Sequence, residues 1–307
     1  MGQATREAYG EALAKLIVEN EKIVVFDADL TKSTKTAAAQ VACPERHYNM
    51  GIAEANMIGV AAGFAASGYT AFASTFAMFA AGRGWEQIRN SVAYPNLNVK
   101  VCGTHSGIAV GEDGVSHQAI EDIALMSVIP GMQVYQPCDG AETKAVIEHV
   151  AKIKGPCYVR LGRAQVEDIY TTDDLFDFSR ISVLNRGERV AIFATGMLVQ
   201  ASMKAMERLQ TEGIHPTIVN ISCLKPLDRD GIADVLENHD LIITAEEHSV
   251  IGGLGSAISD VSVERCPKHI IKMGIQDAYA ESGPFEDLMK KYKLDHEAVY
   301  QTVKNNL

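Results

Sequence analysis

The stretch NMGIAEANMIGVAAGFAASG, residues 49–68, sets the strongest constraint on the fold. Small and apolar side chains recur from Ile52 onward with almost no charge, which is typical of a helix that packs on every side. Glu54 is the exception. An ionised carboxylate in apolar surroundings is costly unless it is paired or holds its proton. Glu54 is therefore either a helix-start residue that faces the N-terminal dipole or a group whose carboxylate is used.

The composition is that of a soluble globular protein with room for two domains. The 307 residues are 47% hydrophobic and 22% charged, and a chain of this length can bury two cores. The formal net charge of -11 argues against a nucleic-acid partner, because neutralising phosphates needs a basic face. Phosphorylated small molecules stay possible as ligands, since a few local cations suffice to bind them.

Two further patterns bear on location and on metal chemistry. No run of about 18 uncharged apolar residues occurs, and MGQATREAYGEALAKL (1–16) is an amphipathic helix pattern rather than a signal peptide. We therefore expect a cytoplasmic protein without a membrane partner. The six cysteines are scattered without a CxxC pair, which favours reduced core thiols over a metal cluster.

Helical stretches alternate with short β-rich runs as far as residue 163. The predicted helices cover 5–19, the Glu54 segment, 78–93, 117–128 and 141–153, and the predicted strands cover 22–26, 69–74, 98–103, 132–137 and 157–161. Continuous apolar strands separated by single helices predict a parallel sheet that is covered on both faces.

A polar, acidic segment that includes TTDDLFDFS (171–179) interrupts this alternation and predicts a domain boundary. After it we expect strands at 189–195, 216–222, 241–247 and 269–275, with helices near 200–212, 228–238 and 254–264 and a helical tail over 284–306. The sequence thus predicts an α/β protein with two parallel-sheet domains. Their expected bounds are 1–165 and 188–307, joined by a linker over 166–187.

The loops beyond the carboxyl ends of the strands are the places to look for a ligand site. The most unusual of them is THSGIAVGEDGVSHQ (104–118), which combines two histidines, an aspartate and three glycines. Glycine lets the backbone approach a ligand closely, while His and Asp supply donors, acceptors and titrating groups. The alternative is structural, with His105 and His117 only bonding to loop carbonyls. Their spacing excludes a helical zinc motif.

A second strand end carries STFAMFA (74–80). Phe76 and Phe79 lie three residues apart, so they share one face of the opening helical turn. Most such aromatic pairs belong to a core. At a ligand loop they can instead hold a flat ring.

These motifs together closely resemble the transketolase family. The run HYNMGIAEANMIGVAAGFAASGYTAFASTFAMFAAGRGWEQIRNSV (47–92), the GEDGVSHQ loop and QPCD (136–139) resemble its pyrimidine-binding domain, and TAEEHSVIGGLGSAI (244–258) resembles its C-terminal domain. The resemblance extends over nearly the whole chain in the right order. It implies a pyrimidine-binding domain over 1–165, a transketolase C-terminal domain over 188–307, and thiamine diphosphate as the cofactor. The implied reaction moves a two-carbon ketol unit from a ketose phosphate to an aldose phosphate.

The resemblance also assigns residues to the cofactor. It implies that Glu54 bonds to N1′ of the aminopyrimidine and shares a proton with it, because apolar surroundings favour the protonated form of a carboxylic acid. Phe76 and Phe79 correspond to aromatic residues that pack on the aminopyrimidine, with Phe79 stacking directly. Asp29 and Leu30, in DADLTKS, correspond to positions near the cofactor at a subunit contact.

The same correspondence assigns the substrate. It implies that His105, Asp113 and His117 contact sugar hydroxyls and the carbonyl oxygen, and that both histidines stabilise charge on oxygen and carry protons. The residues that correspond to a sugar-phosphate site are Arg6, Ser33, His105 and Arg163. A guanidinium suits that site because its planar fork bonds phosphate oxygens in pairs.

Two positions depart from the family pattern. Gly82 stands where many members have an aromatic residue three positions after the second phenylalanine, which leaves the pyrimidine pocket less walled. Arg160 lies close to Arg163, so the sequence leaves open which of the two arginines binds phosphate.

The diphosphate end of the cofactor lacks its usual anchor. Family members bind it through a metal ion on a separate N-terminal domain that carries Gly-Asp-Gly followed by an Asn pair. This chain has no Gly-Asp-Gly, and its only Asn pair is Asn305–Asn306. We therefore expect no metal site in this chain. We expect a partner, an N-terminal transketolase subunit that holds Mg²⁺ or Ca²⁺ with the diphosphate, and an α2β2 heterotetramer.

Three rival interpretations stay open from the sequence. Two are enzymes with the same two domains, namely a 1-deoxyxylulose-5-phosphate synthase-like protein and a 2-oxoacid dehydrogenase β subunit. The third is a non-catalytic partner subunit of the same fold. The expected phosphate site favours sugar phosphates over a plain oxoacid, and the intact Glu54 and GEDGVSH loop argue against a non-catalytic role.

Overall fold

Two sheets, one of seven strands and one of five, organise residues 2–307 of the computed structural model. The strands are β1 (Ile23–Asp27), β2 (His47–Asn49), β3 (Thr70–Phe76), β4 (Val99–Thr104), β5 (Gln133–Tyr135), β6 (Cys157–Arg160), β7 (Ser182–Asn185), β8 (Arg189–Ala194), β9 (Thr217–Asn220), β10 (Cys223–Lys225), β11 (His239–Ser249) and β12 (Ile270–Ile275).

Thirteen α-helices connect the strands in this part of the chain. They are α1 (Thr5–Glu19), α2 (Thr31–Thr34), α3 (Ala37–Ala42), α4 (Glu54–Ala66), α5 (Ala77–Arg83), α6 (Trp85–Gln87), α7 (Asp122–Ser127), α8 (Gly140–Lys152), α9 (Leu198–Thr211), α10 (Arg229–Glu237), α11 (Leu254–Arg265), α12 (Phe285–Lys291) and α13 (His296–Lys304). Short 3₁₀ segments cover Pro44–Arg46 and Ile108–Asp113, and a π-helical turn covers Ile88–Ala93.

The first sheet has the strand order β10-β5-β6-β4-β3-β1-β2. Every pair is parallel except β10 with β5. All residues of β1, β3 and β4 are buried, because a parallel sheet is covered on both faces. This is why those strands are continuous apolar runs in the sequence. The loops that follow β6, β4, β3 and β1 leave the sheet side by side, at the edge where open α/β sheets bind ligands.

The second sheet has the order β12-β11-β8-β9-β7, with β7 antiparallel to β9. Strand β7 lies inside the segment 166–187 that the sequence predicts to be a linker, so part of that segment belongs to the second sheet. The chain passes from β9 in this sheet to β10 in the first sheet within three residues. One apolar cluster accordingly runs through both domains, including Ile123, Met126, Leu224 and Leu236.

Two predicted helices differ from the structure. The predicted helix over 78–93 is divided into α5, α6 and a π-helical turn, with Gly84 between α5 and α6. The helix predicted to begin at His117 begins only at Asp122, because Gly114 at φ +73° and the turn after it hold the preceding residues in a loop.

Helix α4 is buried on one face only within this chain. The residues packed into the core are Glu54, Met57, Ile58, Ala61, Ala62 and Ala65. The opposite stripe is exposed and consists of Asn56, Gly59, Gly63 and Ala66. The sequence predicts a helix packed on every side, and this chain by itself covers about half of it. In the part of the chain that the structure describes, no helix is long and apolar enough to cross a membrane.

Candidate active site

Two residues that follow the strands on either side of β3 have unusual backbone conformations. Asp29, just after β1, has φ +61°, and His105, just after β4, has φ +57°. Residues other than glycine rarely occupy this left-handed region, and where they do they often mark functional sites. Both residues were candidates from the sequence.

An aromatic cluster brings four sequence-predicted residues together. Phe76 ends β3, and its ring stacks on His105 with centroids 3.8 Å apart. Phe79, in the first turn of α5, stacks beside Phe76 at 5.6 Å. The rings of His117 and Phe79 are steeply inclined to each other, with centroids 5.2 Å apart. The strand ends therefore gather the phenylalanines and both histidines into one surface, although the histidines lie 12 residues apart in the chain.

Glu54 begins α4 and is 4% exposed. Its Oε1 accepts a hydrogen bond from Nη1 of Arg83 at 2.9 Å. The Arg83 guanidinium lies over the ring of Phe79, 4.2 Å from the centroid. A planar cation that donates to a buried carboxylate thus rests on the exposed face of an aromatic ring. Glu54 lies at the helix N-terminus, where the helix dipole favours a negative charge. It is also paired with Arg83.

Sequence reasoning missed Arg83. A signal was available, because Arg83 lies four residues after Phe79 on one helix, and residues at that spacing face each other. It is also the only charged residue between Phe76 and Gly84. The side chain of Arg83 is 54% exposed, against 5% for Glu54, so this side of the cluster opens to the surface.

His105 is buried and its ring partners define its protonation. Nη1 of Arg6 lies 3.1 Å from Nε2, and Oγ1 of Thr104 lies 2.9 Å from Nδ1. Because a guanidinium only donates, Nε2 must accept, which assigns the ring proton to Nδ1. Burial, followed by the charges of Arg6 and Arg163, lowers the pKa of His105 to about 3. His105 is therefore neutral at physiological pH.

The predicted phosphate residues meet around His105. Nη1 of Arg6 also donates to the backbone oxygen of Ser33 at 3.0 Å, while Nε of Arg6 is buried without a partner. Burial lowers the pKa of Arg6. Arg163 is partly exposed and donates to the carbonyl of Val110. Arg6, which has one buried donor without a partner, and Arg163, which also lies 3.4 Å from Glu112, are thus the two cations whose charges act on His105 most strongly.

The two arginines near the end of β6 differ in burial. Arg160 is completely buried and its Nε donates to Asp122 at 2.8 Å. Its Nη2 donates to the carbonyl oxygens of Ala119 and Glu247. Arg160 is therefore a buried counter-ion of Asp122, whereas the Arg163 side chain reaches the surface.

Three further predicted residues belong neither to the aromatic cluster nor to the group around Arg6. Asp29 exchanges hydrogen bonds with Asn49, through its backbone N–H at 3.0 Å and its carboxylate at 3.3 Å. Leu30 precedes α2. Asp113 is exposed at the end of the 3₁₀ segment, and no contact joins it to the phenylalanines or histidines. Asn49, which sequence reasoning passed over, tethers Asp29 to the end of β2.

No metal cluster exists within residues 2–307, in the sense of three or more His, Cys, Asp or Glu side chains that converge. The site instead offers a buried carboxylate, a pair of stacked aromatic rings and a group of arginines. This donor set suits a flat, protonated or proton-accepting ring beside an anionic substrate.

Comparison with known proteins identifies two matching domain families. Residues 1–168 match the transketolase pyrimidine-binding domain, and residues 179–299 match the transketolase C-terminal domain. A protein of Methanocaldococcus jannaschii named "Putative transketolase C-terminal section" is 46% identical over 97% of this chain and 94% of its own length. Human transketolase is 33% identical over 98% of this chain, which covers 48% of that enzyme. A solved structure described as "Split gene transketolase, inactive beta4 tetramer" is 48% identical, with a TM-score of 0.90 over 99% of this chain and 98% of that one.

Proposed function

The chain belongs to the transketolase family, and from that premise we propose that it is the pyrimidine-binding and C-terminal subunit of a two-chain transketolase. The predicted resemblance and the two-domain α/β fold are confirmed. The proposed reaction transfers a two-carbon ketol unit from a ketose phosphate to an aldose phosphate. It requires a second chain that holds the diphosphate of the cofactor.

One observation carries the proposal. Glu54 and Phe79, the two residues expected to hold the aminopyrimidine, together hold a planar cation, the guanidinium of Arg83. A protonated aminopyrimidine is also planar, stacks on aromatic rings and donates a hydrogen bond to a carboxylate. The residues present therefore fit thiamine diphosphate, with Glu54 at N1′ and Phe79 against the ring.

When bound, thiamine diphosphate supplies a nucleophilic carbon and an electron sink for breaking and making carbon–carbon bonds. Glu54 would hold and return a proton at N1′, because its side chain is nearly inaccessible to water. Phe76 and Phe79 would fix the plane of the ring and exclude water from it. Placement and proton transfer are thus the contributions of this chain.

The substrate residues divide by charge. Arg6, Ser33 and Arg163 would grip the sugar phosphate, and the buried Nε of Arg6 is a donor that still lacks an acceptor. His105 is neutral, so it would contact the sugar oxygens as a hydrogen-bonding group. His117 would carry protons. Asp113, which is exposed in this chain, would bind a sugar hydroxyl when substrate lies over the loop.

The need for a partner is supported by the incomplete half of the site. Ile52, just before Glu54, is 76% exposed, and the stripe Asn56, Gly59, Gly63 and Ala66 on α4 has no cover within this chain. An apolar surface beside a catalytic residue is expected to pack against another subunit. We propose an N-terminal transketolase subunit there, with Mg²⁺ or Ca²⁺ and the diphosphate bound to it, in an α2β2 assembly.

Reconstitution with the partner tests this function. The chain should be inactive alone and should turn over a ketose phosphate and an aldose phosphate once mixed with a Gly-Asp-Gly subunit and thiamine diphosphate. Pyruvate as the donor tests the 1-deoxyxylulose-5-phosphate synthase-like and 2-oxoacid dehydrogenase alternatives. Turnover with pyruvate as the donor, combined with no turnover of a ketose phosphate, would contradict the proposal. No turnover in the assembled complex with any of these donors would favour a non-catalytic subunit.

A further inference from the structure

The loop that carries both histidines, residues 105–117 and called the histidine loop from here on, leaves the first domain and lies against the second. Oε1 of Glu247 accepts a hydrogen bond from the backbone N–H of Ala109 at 2.5 Å. Oγ of Ser282 donates to the carbonyl of Glu112 at 2.5 Å. Just after the loop, Nε2 of Gln118 donates to the carbonyl of Glu281 at 3.0 Å. Three hydrogen bonds therefore fasten this segment to the C-terminal domain.

The glycines of the loop show how closely the two surfaces meet. Gly107, Gly111 and Gly114 all have positive φ, between +71° and +80°. A Cβ on Gly107 would lie 2.3 Å from the Glu247 carboxyl carbon, and a Cβ on Gly114 would lie 3.3 Å from Ser282. The backbone conformation favours glycine at all three positions. At Gly107 the close approach to Glu247 also requires it, so docking on the second domain explains that glycine.

Glu247 itself is rigidly placed. It is 3% exposed on β11, and its backbone oxygen accepts from Nη2 of Arg160 at 3.0 Å. Arg160 is in turn held by the buried Asp122. The carboxyl group therefore projects from a fixed backbone into the first turn of the histidine loop, four residues from His105.

We propose that Glu247 is a positioning residue, which fixes the histidine loop through the Ala109 amide and so sets the orientation of His105 and His117. The expected effect on catalysis rests on the proposed function. The docking of the histidine loop on Glu247 rests on the geometry alone. It gives the C-terminal domain a part in the active site, since one side chain of that domain holds the loop that contacts substrate.

The neighbouring Glu246 provides a matched control. It is fully buried, and its carboxylate accepts from the backbone N–H groups of Leu254 and Gly255 at 2.7 and 2.8 Å. Those amides open α11 within the C-terminal domain. Glu246 and Glu247 thus share burial, charge and backbone acceptance, and only Glu247 reaches the histidine loop.

The first test uses the chain without its partner. Hydrogen exchange over residues 104–118, together with the NMR signals of the His105 and His117 rings, should be compared in wild type, E247A, E247Q and E246A. We expect exchange near Ala109 to rise about 10-fold or more in E247A, with shifted histidine signals. E247Q keeps an acceptor oxygen and should restore most of the protection. E246A should leave the loop unchanged. Equal protection of the Ala109 region from exchange in E247A and wild type would overturn the proposal, even if E247A is less stable overall.

The second test uses the assembled complex. Since a misplacement of about 1 Å can cost about 10²-fold in rate, we expect E247A to lower kcat by roughly 10- to 10²-fold and E247Q to recover most of it. E246A should stay within about 3-fold of wild type. An altered loop with unaltered kcat would overturn the positioning role. A wild-type complex without turnover would contradict the proposed function, while the exchange and NMR results would still decide whether Glu247 docks the loop.

Discussion

The two sides of the candidate site differ in how completely this chain builds them. The histidine side is closed. His105 is stacked, bonded on both ring nitrogens and buried, and its loop is fastened to the second domain through Glu247. The Glu54 side is open to the surface, where Arg83 is half-exposed and one stripe of α4 is exposed. The histidine side is therefore closed within the chain, whereas the Glu54 side opens to the surface.

Burial decides how much the ion pairs of the two sides contribute. The Arg160–Asp122 pair beneath the histidine loop is completely inaccessible, and removing one partner of such a pair leaves an uncompensated buried charge. The Glu54–Arg83 pair has one exposed member, so water can replace the lost contact. We therefore expect substitutions in the buried pair to cost more stability than substitutions in the exposed one.

The largest expected effect comes from the open side, at the residue that the cofactor would use. Replacing Glu54 by glutamine keeps the shape and removes the proton-holding group, so turnover of the assembled complex should fall by about 10²- to 10⁴-fold. Steady-state rates with saturating cofactor measure the loss. E86Q, an exposed carboxylate on α6, serves as the control and should keep its rate. Wild-type turnover in E54Q would remove Glu54 from catalysis.

The closed side should show the largest change in stability. D122N leaves Arg160 buried without its counter-ion and weakens the bond from the Tyr158 hydroxyl, which lies 2.7 Å from the carboxylate. We expect the free energy of unfolding in urea to fall by about 3–5 kcal/mol. D230N breaks the exposed ion pair between Asp230 and Arg265. This variant should change the free energy of unfolding by less than about 1 kcal/mol. Equal losses in the two variants would contradict the contrast between closed and open sides.

Glu247 predicts how the closed side responds to pH. Burial raises the pKa of Glu247 from 4.5 to about 7, against the opposing charge of Arg160 and with the reinforcing charge of Asp122. Its protonated form therefore favours the folded state. That contribution is complete below pH 4.5 and is lost as pH rises through about 7.

E247Q cannot lose this proton. Its free energy of unfolding relative to wild type should thus increase between about pH 5 and pH 8, by ~1 kcal/mol or more, since one pKa unit corresponds to ~1.4 kcal/mol. Urea titrations at several pH values measure the difference. The exposed variant E86Q should run parallel to wild type. A difference that is constant with pH, or that decreases as pH rises, would show that Glu247 is ionised in the fold throughout.

The smallest expected effect concerns Arg83. If this arginine only occupies the place of the aminopyrimidine, R83A should bind thiamine diphosphate more tightly in the assembled complex, by up to about 5-fold, because exposed pairs contribute about 1 kcal/mol or less. Calorimetric titration measures the affinity, and R89A on the following turn is the control. Weaker binding in R83A would instead make Arg83 a ligand of the cofactor.

Particular elements show why the fold was predictable in part. Strands β1, β3 and β4 are continuous apolar runs because both faces are buried, and this pattern is visible in sequence. Strands β2, β7 and β10 are only three or four residues long and lie at the edge of a sheet. Their formation depends on pairing with a neighbouring strand. A run of three or four residues is also too short for a periodic pattern to be recognised in the sequence. For the same reason the segment 166–187 looked like a linker.

The site was predictable to a similar depth. Phe76 ends β3, Phe79 follows in the first turn of α5, and His105 and His117 lie in the loop after β4. A parallel sheet brings such positions to one edge. Arg83, Asn49 and Glu247 were not predicted. Glu247 lies 138 residues from Ala109, and Asn49 lies 20 residues from Asp29. A contact between distant segments leaves no periodic signal in either one.

The sequence by itself determined the two α/β domains, the family, and the residue types gathered at the strand ends, because periodicity, turn chemistry and motif spacing act within a few residues. Only the tertiary structure decided that Arg160 is buried and paired with Asp122, that burial beside Arg6 lowers the pKa of His105, that Arg83 pairs with Glu54, and that Glu247 accepts a hydrogen bond from the histidine loop. Burial and charge pairing depend on which segments meet in space. Those meetings are set by the packing of the whole chain.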